Sequence, residues 1–182
     1  MRVICCLLLL CATQVHAELV QEGTAVRDTV TGLIWFRPIL TQGQDYRDAL
    51  ATNSWLGYRF ATRREIDALA KRYIGSAEGV YSGGQDFLQT MRVIALLGAT
   101  YETLGSDTEP VKFATMGYYN DGSIDDGVGF AEFSVSLFVP NHPSDPVYPD
   151  LFVSRWVTLD NFLPADTTMQ TVGAFLVKRQ TP

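Results

Sequence analysis

Helical and strand patterns occupy different parts of this chain. Apolar residues recur three and four apart in segments lying between Thr41 and Gly98. The start of the chain and the stretch past Gly105 instead show alternating or short apolar runs rich in β-branched and aromatic residues. Segregation of the two periods predicts an α+β fold with a largely antiparallel sheet, because a parallel sheet needs strand and helix to take turns along the chain.

"GTAVRDTVTGLIWF" reads as a hairpin. Val26 and Leu33 to Phe36 are its strands, Thr29 to Gly32 its turn, and Pro38 ends the second strand. "TQGQDYRDALAT" reads as a short helix with Tyr46, Ala49 and Leu50 on its apolar face. Thr41 is its expected cap, with Gln44 completing a capping box. "GYRFA" alternates as a strand. In "TRRE" that follows, Thr62 and Glu65 again have capping-box spacing, and Ile66, Leu69, Ala70 and Tyr73 form one helical stripe. This predicts strand, cap and amphipathic helix, with Arg63 and Arg64 facing water. "SGGQDFLQTMRVIALLGAT" predicts a third helix filled by Phe87, Met91, Ile94, Leu96 and Leu97 and ended by Gly98. "PVKFATMGYY", "GVGFAEFSVSLFV", "DLFVSRWVTL" and "TVGAFLVKR" read as strands, with "NDGSIDDG" turning between the first two.

The first residues, "MRVICCLLLLCATQVHA", have a basic start, an apolar run too short to span a bilayer, and small or tolerated residues before Ala17. They predict a signal peptide over 1–17, cleavage after Ala17 and a single domain over 18–182. Cys5, Cys6 and Cys11 all fall in this leader, so the mature chain has no disulfide and relies on its core. A lipid anchor on Cys11 would need a small residue before it, and Leu10 stands there. Cleavage removes Arg2 and no acid, so 13 basic residues face 20 acidic ones and the formal charge moves from −6 to −7. An acidic surface repels phosphate backbones and anionic lipid, which argues against a nucleic-acid partner and against adsorption to anionic lipid. With no second apolar run of transmembrane length, no membrane insertion is expected after cleavage.

Two motifs carry a family resemblance. Asp28, Thr31, Gly32, Leu33 and Trp35 match an Asp, Thr-Gly-Leu, Trp pattern. Gly57, Arg59, Phe60, Ala61, Thr62, Glu65 and Ile66 match Gly-x-Arg-[Leu/Phe]-[Pro/Ala]-Thr-x-x-Glu-[Leu/Ile]. With "DYRDALA", "DFLQTMRVIALLGATY", "GYYNDGS" and the closing "GAFLVKR", the mature chain resembles an exported bacterial domain family. That family occurs at the C-terminus of a collagen-like adhesin and in exosortase-sorted (PEP-CTERM) proteins. The resemblance implies a C-type-lectin-like fold: two or three helices on a twisted antiparallel sheet, with N- and C-terminal strands paired. It also implies a Gram-negative exporter, a secreted or periplasmic location, and a structural role for Asp28, Gly32, Trp35, Arg59, Thr62 and Glu65. Some lectin-like folds are formylglycine-generating oxidases, but those use a cysteine pair that the mature chain lacks.

Three segments can hold a ligand. Asp121, Asp125, Asp126 and Glu132 bring together the oxygen donors that calcium prefers. Asp121 and Glu132 have the outer spacing of an EF-hand loop, but Asp126 occupies the position of its glycine and the flanks are strands. The readings are therefore an irregular calcium site or a solvated acidic hairpin tip. In "VPNHPSDPVYPD", Pro140, Pro143, Pro146 and Pro149 recur every third residue, so a polyproline II turn would align them beside His142 and Tyr148. This is a docking strip or a stiff surface loop. Trp156, Asp160 and Asn161 pair an aromatic with polar groups, as sugar sites do, although Trp156 equally suits a core. Trp35 suits a core, and Trp55 follows a helix end where it can face water.

The combined expectation is an exported, non-catalytic binding module for a glycan or envelope protein. Its site would be built from the Asp121–Asp126 turn, the Pro140–Pro149 loop and Asp160–Asn161, with no cofactor other than calcium. The alternatives are a structural envelope or matrix protein, and an acid–base hydrolase using Asp125, Asp126 or Glu132.

Overall fold

The first hairpin shows how local chemistry starts the fold. In the computed structural model, β1 (Leu19–Glu22), β2 (Ala25–Asp28) and β3 (Leu33–Phe36) form an antiparallel meander, with Val26 opposite Trp35. The structure describes residues 18–75, 79–82, 84–104, 111–120, 127–138, 150–164 and 166–180; for 79–82, 84–86, 127, 137–138 and 150–164 only the backbone is described.

A 3-10 turn, Pro38–Thr41, leads to α1 (Tyr46–Asn53), and a second, Ser54–Leu56, leads to β4 (Arg59–Phe60). Then come α2 (Arg63–Tyr73), β5 (Gly79–Ser82), α3 (Gly84–Leu97), β6 (Tyr101–Thr103), β7 (Val111–Tyr119), β8 (Gly127–Phe138), β9 (Asp150–Pro164), β10 (Gly173–Ala174) and β11 (Leu176–Arg179). The fold is α+β. One five-stranded sheet runs β1-β2-β3-β11-β4. A six-stranded sheet runs β10-β7-β8-β9-β5, with β6 also on β7. The C-terminal strand lies antiparallel to β3, Val177 facing Trp35. Among the described residues, no helix is long and apolar enough to cross a membrane.

Both faces of these sheets are covered. Ile66, Leu69 and Ala70 of α2 and Val93, Ile94 and Leu97 of α3 pack with Val26, Trp35, Phe133 and Phe175 in one core. Ala49 of α1 packs with Phe60, Met116, Tyr118, Phe130 and Leu176 in a second, where Tyr46 stacks on Phe60 at 3.6 Å. Alternation along β7 divides its side chains between the two, Met116 and Tyr118 to one and Tyr119 to the other. Each fully buried large apolar side chain contributes about 1.5–3 kcal/mol, so the two cores together supply much of the stabilisation.

Three expectations need correction. Thr41 does not cap α1. Asp45 does, accepting from Asp48 N at 2.7 Å, because Thr41 is drawn inside, where its hydroxyl donates to Pro38 O at 3.0 Å and accepts from Ala174 N at 2.8 Å. "TVGAFLVKR" is not one strand. Gly173–Ala174 pair in parallel with β7, while Leu176–Arg179 join the other sheet. At the junction, Phe175 N donates to Tyr118 O at 2.9 Å and Ala61 N to Phe175 O at 2.7 Å, which stitches the sheets together. The antiparallel architecture is accordingly divided between two sheets rather than one. The strands β1, β5 and β6 were absent from the sequence expectation; each is three or four residues long, too short for a clear period.

Candidate functional site

Asp28 closes its own turn. Its Oδ1 accepts from Val30 N at 2.9 Å and Thr31 N at 3.3 Å, while Gly32 takes a left-handed φ of +67° and donates its N–H to Asp28 O at 2.9 Å. This explains the Asp and Gly of the first motif: one carboxylate satisfies the turn amides, and a residue without Cβ completes it. The same carboxylate receives Tyr73 OH at 2.8 Å and Arg72 Nη1 at 2.9 Å from the last turn of α2. Burial would raise the Asp28 pKa, but the hydrogen bonds from Thr31, Tyr73 and the turn amides outweigh it and hold the group below the usual carboxylate value. Burial, and then the bond to Asp28, push the Tyr73 phenol upward. Trp35 is 1 % exposed and sits in the core.

The second motif forms a capping box reinforced by an arginine. Glu65 N donates to Thr62 Oγ1 at 3.3 Å, and Thr62 N donates to Glu65 Oε2 at 2.8 Å. Arg59 grips both carboxylate oxygens of Glu65, at 2.9 and 2.6 Å. Burial opposes ionisation of Glu65, yet the Arg59 and Thr62 bonds lower its pKa overall. Arg59 is raised in turn, chiefly by its bond to Glu65. Both motif carboxylates are thus held ionised with their oxygens engaged, a state with no proton to donate and few free lone pairs to accept one. Their chemistry is that of positioning the Thr29–Gly32 turn and the start of α2.

The residues singled out for calcium fall in two places. Asp121, Asp125 and Asp126 lie outside the described residues. Glu132 is inside β8, in register with Met116 and Val157, and its carboxylate lies 2.7 Å from Lys112 Nζ. Lys112 also sits over the Tyr101 ring at 5.6 Å. Among the described residues, no group of three or more His, Cys, Asp or Glu side chains is placed to hold a metal ion.

The register of β8 with β9 fixes where the two strands begin and end against each other. Gly127 pairs with Pro164 at one end, and Phe138 with Asp150 at the other. A twelve-residue strand places those ends about 35 Å apart. Residues 121–126 and the segment carrying His142 and Tyr148 lie outside the described residues.

Asp160 and Asn161 occupy an irregular stretch of β9. Between the pairs Phe130–Leu159 and Val128–Leu163, β8 advances two residues while β9 advances four. Such a bulge breaks the ladder and re-aims the residues within it, and bulges concentrate at sites of function. Trp156 is in register with Phe133, a residue of the larger core. The sequence did not show the partners that most affect these groups, namely Arg72 and Tyr73 for Asp28 and Lys112 for Glu132. The sole local trace was the basic last turn of α2, Lys71 and Arg72, which suits a helix C-terminus by itself.

Comparison of the chain with protein-family models, with curated proteins and with solved structures found no match in any of the three.

Proposed function

We propose that this chain is an exported, non-catalytic binding module of C-type-lectin-like fold, whose ligand is a glycan or another cell-envelope component. The observation that carries the reading is the β9 bulge at Asp160–Asn161, where the backbone leaves regular pairing near the end of the large sheet. Calcium, if the ligand needs it, is assigned to Asp121, Asp125 and Asp126, which lie outside the described residues. Glu132 takes no part, since Lys112 engages it. Three features are consistent with a lectin-like chain: the pairing of β11 with β3, the helices α2 and α3 packed over that sheet, and the long strands β7 to β9. The leader over 1–17 supports secretion or periplasmic delivery.

The test is glycan-array binding of residues 18–182, with calcium and with a chelator, beside the double variant Asp160→Ala, Asn161→Ala. Binding by the parent and its loss in the variant supports the site. A variant that binds every glycan on the array as well as the parent does sinks it. Loss on chelation assigns calcium to the acidic turn. An absence of glycan binding together with self-association in solution would favour a structural envelope role instead.

A further inference from the structure

Trp55 is 78 % exposed, and Leu56 beside it is 39 % exposed. They lie on the 3-10 turn Ser54–Leu56, which Gly57 ends at a left-handed φ of +81°. A lone exposed apolar side chain needs no explanation, but this indole is also fixed in place. Its Nε1–H donates to Thr52 O at 2.7 Å. The ring has therefore already surrendered rotamer freedom, and its one polar group is spent on its own helix. What it offers a ligand is an apolar π face, presented at little further entropic cost.

A cation is held by the next residue of the turn. Lys178 Nζ donates to Leu56 O at 3.3 Å, one residue along from Trp55, and lies 4.5 Å from the centre of the Tyr58 ring. An ammonium has three donors, and the carbonyl uses one. Charge is also unevenly divided along the chain. Residues 102–166 carry eleven acidic side chains against two basic ones, whereas 18–101 and 167–182 together carry nine acidic against eleven basic. The acidic excess that repels anions thus belongs to β7 to β9 and their connections, while Trp55 and Lys178 belong to the other part of the molecule, around α1 and the five-stranded sheet.

We infer that Trp55 and Lys178 form a subsite for an acidic sugar, a uronate whose ring lies on the indole and whose carboxylate meets the Lys178 ammonium. An apolar face with a cation held on the same turn matches a pyranose, which has an apolar C–H face and, in a uronate, a carboxylate on its edge. A neutral sugar would leave the cation unused. This subsite is built from different elements than the β9 bulge and does not depend on it.

Calorimetric titration of residues 18–182 with tetragalacturonate, and with neutral maltotetraose, tests the assignment. The acidic oligosaccharide is expected to bind and the neutral one to bind at least about tenfold more weakly. Trp55→Ala should weaken galacturonate binding about tenfold or more, and Trp55→Phe should restore most of it. Lys178→Gln should lower affinity about threefold and flatten its salt dependence. Trp55 is exposed, so its variants should keep the parent melting temperature. The variant Asp160→Ala, Asn161→Ala should bind galacturonate as the parent does, which separates this subsite from the β9 site. The inference is overturned by undetectable galacturonate binding, by equal affinity in Trp55→Ala, or by loss of binding in the β9 variant. Sedimentation showing a Trp55-dependent dimer indifferent to galacturonate would also overturn it, in favour of self-association.

Discussion

The Asp28 carboxylate lies 2.9 Å from the Arg72 guanidinium, joining the first hairpin to the end of α2 across 44 residues. Asp28 is 1 % exposed, and it also satisfies two turn amides and the Tyr73 hydroxyl. Asp28→Ala should therefore cost about 3 kcal/mol, because it strands a cation and several donors at once. Asp28→Asn should cost less, keeping part of the turn. Urea unfolding followed by circular dichroism measures both, and equal stability of parent and alanine variant would refute the role assigned to Asp28.

Stability should fall in acid through the same groups. Asp28 and Glu65 both have folded pKa values lowered from their ordinary ones. A lowered carboxylate stabilises the fold fully above its unfolded pKa and loses that contribution as pH falls through the folded value. Melting temperature should stay level above about pH 5 and decline below about pH 4. The decline should be shallower in Asp28→Asn than in the parent, since one of the two groups no longer titrates.

Glu65 should matter more than Arg59, although they form one ion pair. Glu65 also accepts from the backbone and hydroxyl of Thr62, and its side chain is 20 % exposed against 48 % for Arg59. Glu65→Ala is expected to cost about 1–2 kcal/mol and Arg59→Ala about 0.5–1 kcal/mol. Arg59→Lys should not restore the parent value, because an ammonium cannot grip two carboxylate oxygens in parallel. Chemical denaturation of the three variants checks the order.

Thr41 supplies the acceptor for the buried Ala174 amide, 2.8 Å away and 133 residues on. Thr41→Val preserves shape but leaves that N–H unsatisfied, at a cost of about 2 kcal/mol. Thr41→Ser should recover most of it. Faster hydrogen exchange at the Ala174 amide in the valine variant would be the specific signature, and unchanged exchange would count against the bond.

Two glycines should fail for different reasons. A Cβ on Gly173 would run into the Pro38 carbonyl, a backbone group that cannot swing aside, so Gly173→Ala should cost about 3 kcal/mol or more and loosen β10 from β7. A Cβ on Gly32 meets nothing within 4 Å, but the φ of +67° remains unfavourable for alanine, at about 1 kcal/mol. Paired thermal melts distinguish a clash from strain by size.

The sequence by itself determined the features set within a few residues of each other. These are the hairpin from Val26 to Phe36, the Thr62–Glu65 capping box, the stripe of α2 and the end of α3 at Gly98, whose φ is +88°. They were legible because the interacting groups are neighbours along the chain, and spacing alone reveals them. Tertiary structure alone decided that Arg72 and Tyr73 converge on Asp28, that Thr41 faces Ala174 rather than α1, and that "TVGAFLVKR" parts at Phe175 between two sheets. It also set the β8–β9 register, which opens the bulge that holds Asp160 and Asn161. The reason is physical. Alternation in a strand says which residues share a face, but pairing partner and register follow from burial and hydrogen bonding against distant strands, and those enter only when the whole chain has packed.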